Sequence, residues 1–141
     1  MEDPAKEAIA SFRRWSIGFN TRDTAAQLAE MHFPHLRLAQ NRFQWWATPE
    51  EFSAVQEENT RRLKQEGWDH TATLSIQPIQ VGANKVHVAI RQSRQHADGT
   101  EYNGFGTLWI FTKRNDRWGV QFRSSFLMNT QASGLGSSEP G

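Results

Sequence analysis

The C-terminal third of the chain, residues 86–126, contains three runs rich in apolar residues, separated by two short, polar turn signals. β-Branched and aromatic residues dominate each run, which is typical of strands. Asp98-Gly99 predicts a type I′ hairpin, because that turn needs positive φ at both central residues. Asn115-Asp116 marks a second turn. The pattern therefore predicts a three-stranded antiparallel meander, which the earlier part of the chain must cover.

Helical periodicity marks the segments that would provide the cover. Apolar residues recur at helical spacing over residues 4–19, and Asp23 is placed to cap a short second helix. The stretch Thr48-Pro49-Glu50-Glu51 combines an N-cap, a proline in the first turn and a capping-box glutamate. It predicts a third, long helix that ends at Gly67, where glycine is a natural terminating residue.

Shorter alternating segments complete the sheet. Residues 35–39 and 43–46 predict a pair of strands, and residues 68–81 predict another with a bulge or bend at Pro78. The resulting order is ααββαββββ, an α+β fold in which three helices cover one face of a curved, mostly antiparallel sheet. We expect a single domain over residues 1–130, followed by a disordered Ser/Gly-rich tail at 131–141.

This order of elements resembles the NTF2-like superfamily, in its SnoaL-like and ketosteroid-isomerase-like branch. Three helical features carry the resemblance: a first helix that ends in Phe19-Asn20, a short helix opened by Asp23, and the capped long helix. Two strand features add to it, the pair of residues 35–46 and a closing hairpin around residues 109–118. The resemblance extends over nearly the whole chain, to about Phe126. It implies a cone-shaped roll in which the curved sheet and the helices enclose a conical pocket.

The functional positions of ketosteroid isomerases are not matched. The resemblance places Trp15 where those enzymes carry an oxyanion-hole tyrosine on the first helix. Their general base, an aspartate near the end of the first strand, falls in Leu38-Ala39-Gln40, which contains no carboxylate. Their second, acidic donor falls near Leu108. Isomerase chemistry of that specific kind is therefore not expected.

Composition narrows the classes of partner. A net charge of +1 disfavours nucleic acid, which normally needs a basic excess. The chain has no cysteine, which removes disulfides and thiolate metal ligands. No apolar run is long enough to span a membrane, and the N-terminus does not have the character of a signal peptide, so we expect a cytoplasmic location. His32 and His35 lack a third ligand nearby in sequence, so neither a metal nor another cofactor is expected.

Two functions stay open. The first is binding of a small organic ligand in an aromatic-lined pocket, with cofactor-free isomerase, dehydratase or cyclase chemistry if the protein is an enzyme. His35 or His32 would then be the base and Tyr102 a hydrogen-bond donor. The expected ligand-binding residues are Trp15, Phe19, Arg37, Trp45, Trp46 and Asn103. The alternative is a non-catalytic dimeric module for protein interaction or ligand binding.

The fifth strand carries apolar residues on both of its faces. A sheet with one solvated face does not need this, and a large exposed apolar patch normally marks an interface. We therefore expect a homodimer that packs sheet against sheet through Phe105, Trp109 and Phe111. The opposite face would meet the helices.

Overall fold

The computed structural model describes residues 3–127. The helices are α1 (Pro4–Asn20), α2 (Thr24–Leu28), α3 (Pro49–Ala54) and α4 (Gln56–Gln65). The strands are β1 (Met31–Ala39), β2 (Arg42–Trp46), β3 (His70–Val81), β4 (Lys85–Gln95), β5 (Glu101–Arg114) and β6 (Arg117–Ser125). The α+β class predicted from the sequence is confirmed. The predicted tail at 131–141 lies outside the described residues.

All six strands form one sheet in the order β2-β1-β6-β5-β4-β3. The pairing of β1 with β6 is parallel, and every other pair is antiparallel. The parallel pair joins the N-terminal hairpin to the meander and sets Arg37 beside Arg123. The pairing of β3 with β4 shifts register at Pro78, as the proline predicted, because proline cannot donate to a strand ladder.

The long third helix is divided, contrary to the prediction. Thr48 Oγ1 accepts a hydrogen bond from the Glu51 backbone N–H at 3.2 Å, so α3 starts with the predicted cap. The helix then breaks at Val55, where φ is −103° and ψ is 1°. The side chain of Gln56 donates to the Phe52 carbonyl at 3.0 Å and so satisfies an acceptor near the break. Phe52 and Leu63 are both buried, so each half of the bent helix contributes to the core.

The type I′ geometry predicted for the first turn occurs at the second. Asn115 and Asp116 have φ values of 54° and 59°, which is the pattern of a type I′ turn. At the other turn only Gly99 has positive φ, at 88°, so the type I′ prediction is wrong there. A longer loop forms instead, because the Asp98 carboxylate accepts from the Thr100 N–H at 3.0 Å and from its hydroxyl at 2.7 Å.

The core lies between α1 and the face of the sheet that we call the inner face. Trp109 of β5 is the centre of an aromatic cluster, with its ring centroid 4.8 Å from Phe12 and 4.9 Å from Trp15, both edge to face. Aromatic pairs of this kind contribute about 0.5–1.5 kcal/mol each beyond the burial of their area. Phe111 stacks on Trp109 from the same strand and extends the cluster along β5.

This packing corrects the assignment of the two faces of β5. Phe105, Trp109 and Phe111 are 4%, 2% and 0% exposed, so they belong to the core of the monomer and are not accessible to a second copy. The alternate residues, Leu108 and Ile110, point to the opposite, outer face and are only partly buried. Both faces of β5 are apolar, as expected. The prediction placed Phe105, Trp109 and Phe111 on the accessible face, whereas that face carries Leu108 and Ile110.

Candidate ligand-binding site

Three strands each place one arginine on the inner face. Arg37 of β1, Arg94 of β4 and Arg123 of β6 are each only 1% exposed. Side chains alternate between the faces of a strand, so these three positions share the face on which Trp109 packs. Desolvating a charged group costs several kcal/mol, and three buried guanidiniums on one face therefore mark this region as the candidate site.

His35 lies beside this cluster and holds Arg123 in place. Arg123 Nε donates to His35 Nε2 at 3.0 Å, and His35 Nδ1 lies 3.2 Å from the Val120 carbonyl oxygen. These partners require the tautomer with the proton on Nδ1. Burial, followed by the charge of Arg123, holds the pKa of His35 well below 6.5. The ring is therefore neutral, and its one acceptor nitrogen is already occupied by Arg123.

Aromatic rings surround the buried guanidiniums. The Arg123 guanidinium lies 5.2 Å from the Trp15 ring centroid and 5.6 Å from that of Trp109. Arg94 lies 5.6 Å from the Phe105 ring. Such cation–π contacts offset part of the desolvation cost, because each well-desolvated pair contributes about 2 kcal/mol of stabilisation. Arg37 is oriented by a neighbouring strand, since it donates to the Gln44 side chain at 2.9 Å.

A small cavity opens between α1 and the sheet at the Arg94 end of this cluster. Its lining residues are Trp15, Phe19, Thr71, Gln92, Arg94 and Phe105. Its volume is about 10 Å³, counted over the positions that the centre of a water molecule can occupy, which is room for about one water. The lining combines three aromatic rings with amide, hydroxyl and guanidinium groups, so it can contact both an apolar and a polar part of a ligand.

Two buried side chains, Trp15 on the cavity wall and Asn103 opposite the lining residue Arg94, carry polar atoms with no hydrogen-bond partner among residues 3–127. Asn103 faces Arg94 directly across the β4–β5 pair, is 1% exposed, and leaves both its Oδ1 and its Nδ2 without a partner. The indole Nε1 of Trp15 is likewise unpartnered. A buried polar group left in this way costs about 1–3 kcal/mol, so these groups point to a ligand that pairs with them.

The end of α4 meets β5 next to Arg94, and we call this neighbouring group of side chains the rim. Glu66 caps α4 and lies 3.6 Å from Arg94 Nη1. Tyr102 donates its hydroxyl proton to Glu66 at 2.6 Å, and its ring stacks on His96 with centroids 4.8 Å apart. Burial, with the bond to Glu66, raises the pKa of Tyr102. Tyr102 therefore stays protonated and orients the rim carboxylate.

The structure separates the residues that the sequence grouped as one pocket. Trp15 and Phe19 line the cavity, whereas Trp46 packs 5.9 Å from the His35 ring. Trp45 is 56% exposed and lies opposite Leu36 on the outer face.

The predicted catalytic residues are also dispersed. His32 Nε2 hydrogen-bonds to the Arg117 carbonyl at 2.8 Å, at the start of β1. Tyr102 belongs to the Glu66 rim, and His35 lies with Arg123. These three side chains are therefore in three different places and do not form one catalytic set.

The site also contains residues that the candidate sets did not include. They are Thr71, Gln92, Arg94, Arg123 and Glu66. The sequence carried a weak signal for Arg123, a cationic side chain directly after Phe122, and none for Arg94, which lies in the polar run of residues 91–95. No group of three or more potential metal-ligating side chains occurs within the described part of the chain. No helix in residues 3–127 has the length and apolar character needed to cross a membrane.

Solved structures resemble the whole fold. An NTF2-like protein of unknown function from Shewanella oneidensis MR-1 superposes with a TM-score of 0.69 at 14% identity, covering 88% of this chain and 99% of that one. An NTF2-like protein with a cystatin-like fold from Novosphingobium aromaticivorans gives 0.70 at 14% identity, with 97% and 86% covered. A ketosteroid isomerase-like protein from Erwinia carotovora atroseptica SCRI1043 gives 0.62 at 15% identity, with 91% and 98% covered. At these identities the similarity concerns the fold.

The family comparison is more specific than the structural one. No curated protein matches the sequence. Residues 6–123 match the family described as NTF2-like protein (DUF6841). That range extends from within the first helix into the closing strand, and it confirms the NTF2-like resemblance seen in the sequence. The chain therefore belongs to the NTF2-like protein family DUF6841.

Proposed function

We propose that this protein binds a small organic ligand, without a cofactor, at the inner-face cavity between α1 and the sheet. The observation that carries the proposal is the lining itself, in which Trp15, Phe19 and Phe105 meet Gln92 and Arg94. Ligand sites typically combine apolar walls with a few placed polar groups. The cavity has room for about one water, so the ligand enters as rim side chains move aside.

Binding is favoured over proton-transfer catalysis. A general base must come within hydrogen-bond reach of the proton that it removes. The residues lining the cavity include no carboxylate and no imidazole. His35 is neutral and engaged with Arg123 and the Val120 carbonyl, so it offers no lone pair to a substrate.

A thermal-shift screen with small aromatic acids and ketones tests this proposal, because a ligand that binds only the folded state raises its stability. We expect at least one compound to raise the Tm in a concentration-dependent way. Gln92→Leu, which removes a polar lining group, should reduce the shift. Gln77→Leu, at an exposed position of β3, should leave it unchanged. Ligand shifts that are equal in all three proteins would place the binding elsewhere.

A second role, self-association through the outer face, is favoured by a separate observation. Apolar residues of four adjacent strands stand in register on this face; they are Leu36, Leu38, Phe43, Trp45, Leu108, Ile110 and Phe122. Phe43 and Trp45 are 57% and 56% exposed. Contiguous exposed apolar surface of this kind is typical of protein–protein interfaces.

Sedimentation velocity tests the self-association. We expect the parent protein to sediment as a dimer and Ile110→Glu to sediment as a folded monomer, with an unchanged far-UV circular dichroism spectrum. Leu74→Glu, at a 57% exposed position of β3 outside the defined apolar set, is the control and should remain dimeric. A parent protein that is still monomeric at about 100 μM would exclude the interface, because this concentration is well above the dissociation constants of specific interfaces.

A further inference from the structure

We propose that the ligand is an organic anion whose carboxylate is bound by Arg94 and Asn103, and that Glu66 competes with this carboxylate for Arg94. This inference rests on the proposed ligand-binding function and adds the chemical class of the ligand and a device that sets its affinity. Three independent features of the site support it: the local charge, the set of donors and the geometry at the rim.

The first feature is the concentration of positive charge. The pKa of Arg123 lies well below its usual 12.5, because of burial and then the charges of Arg37 and Arg94. Burial, followed by Arg94, lowers the pKa of Arg22 to about 10. Arg94 therefore acts on Arg123 on the inner face and on Arg22 in the turn after α1, and Arg37 adds a further positive charge beside Arg123. A low-dielectric site with several cations attracts and stabilises an anion.

The second feature is the set of hydrogen-bond donors. The guanidinium of Arg94 lines the cavity and has the planar fork that matches a carboxylate. Asn103 lies opposite Arg94, with an amide that has no partner among residues 3–127. The Trp15 indole adds a further buried N–H on the cavity wall. A carboxylate supplies acceptors for the three donors, which are the Arg94 guanidinium, the Asn103 Nδ2 and the Trp15 Nε1, whereas an uncharged ketone has a single acceptor oxygen.

The third feature is the loose ion pair at the rim. The Glu66 carboxylate lies 3.6 Å from Arg94 Nη1, beyond the 2.7–2.9 Å or so of a charge-assisted hydrogen bond. Its side chain is 30% exposed, and the oxygen nearest Arg94, Oε1, already accepts the Tyr102 hydroxyl proton at 2.6 Å. Glu66 can therefore turn toward solvent while Arg94 makes a shorter bond to a ligand. Its negative charge also opposes an arriving anion.

The aromatic walls suggest the rest of the molecule. Trp15, Phe19 and Phe105 line the same cavity as Arg94, so a flat apolar body next to the carboxylate fits the lining. Benzoate and phenylacetate are therefore suitable probes. Benzamide and phenylacetamide are the matched neutral controls, because they keep the shape and remove the charge.

Isothermal titration calorimetry with these four probes tests the inference in the parent protein and three variants. We expect the two acids to bind the parent protein at least about tenfold more tightly than their amides. Glu66→Gln should bind the acids about tenfold more tightly than the parent, because the competing charge is removed while Gln can still accept from Tyr102. Arg94→Gln should bind them about a hundredfold more weakly. Arg91→Gln, an exposed position of the same strand, should match the parent.

Each outcome decides between the two proposals. Equal binding of acids and amides would overturn the anion inference and leave the proposed ligand-binding function intact. If no compound of the thermal-shift screen and none of the four probes binds in the calorimeter, both proposals are overturned. If Arg94→Gln fails to fold, the comparison of Glu66→Gln with the parent still tests the inference. Acid binding by Glu66→Gln that is unchanged or weaker would contradict the proposed competition for Arg94.

Discussion

The neutral, fully engaged state of His35 has a measurable consequence for stability. Its pKa in the folded protein lies well below 6.5 because of burial and the charge of Arg123. In the unfolded chain the ring returns to an ordinary value near 6.5. Below about pH 6.5 the unfolded chain therefore binds a proton that the folded protein does not. The stabilisation is present above that pH and is lost as the pH falls toward the folded-state pKa.

The size of the effect follows from linkage. One proton bound only in the unfolded state changes the free energy of unfolding by about 1.4 kcal/mol per pH unit. Between about pH 7.5 and about pH 5.5, His35 should therefore remove about 1.4 kcal/mol. His35→Gln keeps an acceptor for Arg123 but does not titrate, so this part of the pH dependence should disappear from the variant.

Urea denaturation at the two pH values measures the difference. Other groups that titrate in this range, including His32, are present in both proteins and cancel when parent and variant are compared. Gln77→Leu, a non-titrating substitution at an exposed position of β3, serves as the control and should show the parent's pH dependence. If His35→Gln lost as much stability as the parent on acidification, the buried neutral histidine described above would be refuted.

Three further predictions concern packing and backbone conformation, each with a matched control, measured by urea denaturation. Leu63→Ala should lower the free energy of unfolding by about 2–5 kcal/mol, because Leu63 is 0% exposed, whereas Leu74→Ala should change it by less than about 0.5 kcal/mol. Asp116→Gly should raise stability by up to about 1 kcal/mol, because its φ is 59°, while Asp116→Ala should lower it. Gly119→Ala should cost about 1–3 kcal/mol, because the new methyl would lie 2.9 Å from backbone, whereas Gly104→Ala would meet only the movable end of a glutamate side chain and should be tolerated.

Local patterns were sufficient for the fold. The caps at Asp23 and Thr48 are present as predicted, since Asp23 accepts from the Ala26 N–H and Thr48 from the Glu51 N–H. Such signals act over three or four residues and are therefore readable without tertiary structure. The break at Val55 was not readable in this way, because no proline or glycine marks it and both halves carry helical periodicity.

The candidate site was only partly predictable. Trp15 and Phe19 were expected at the pocket and do line the cavity. Trp45 was grouped with them because aromatic character alone does not report which face of a strand a residue occupies. The cluster of Arg37, Arg94 and Arg123 depends on pairings between residues far apart in sequence, and local pattern carries no signal for such pairings.

The sequence by itself determined the α+β class, the order of the elements and the presence of two apolar faces on β5. Those features depend on periodicity and capping, which are properties of neighbouring residues. The tertiary structure decided which face became the core, because α1 covers Trp109 and leaves Ile110 outward. It also decided the chemistry of the site, since the parallel pairing of β1 with β6 and the packing of α4 against the sheet bring distant charged groups together.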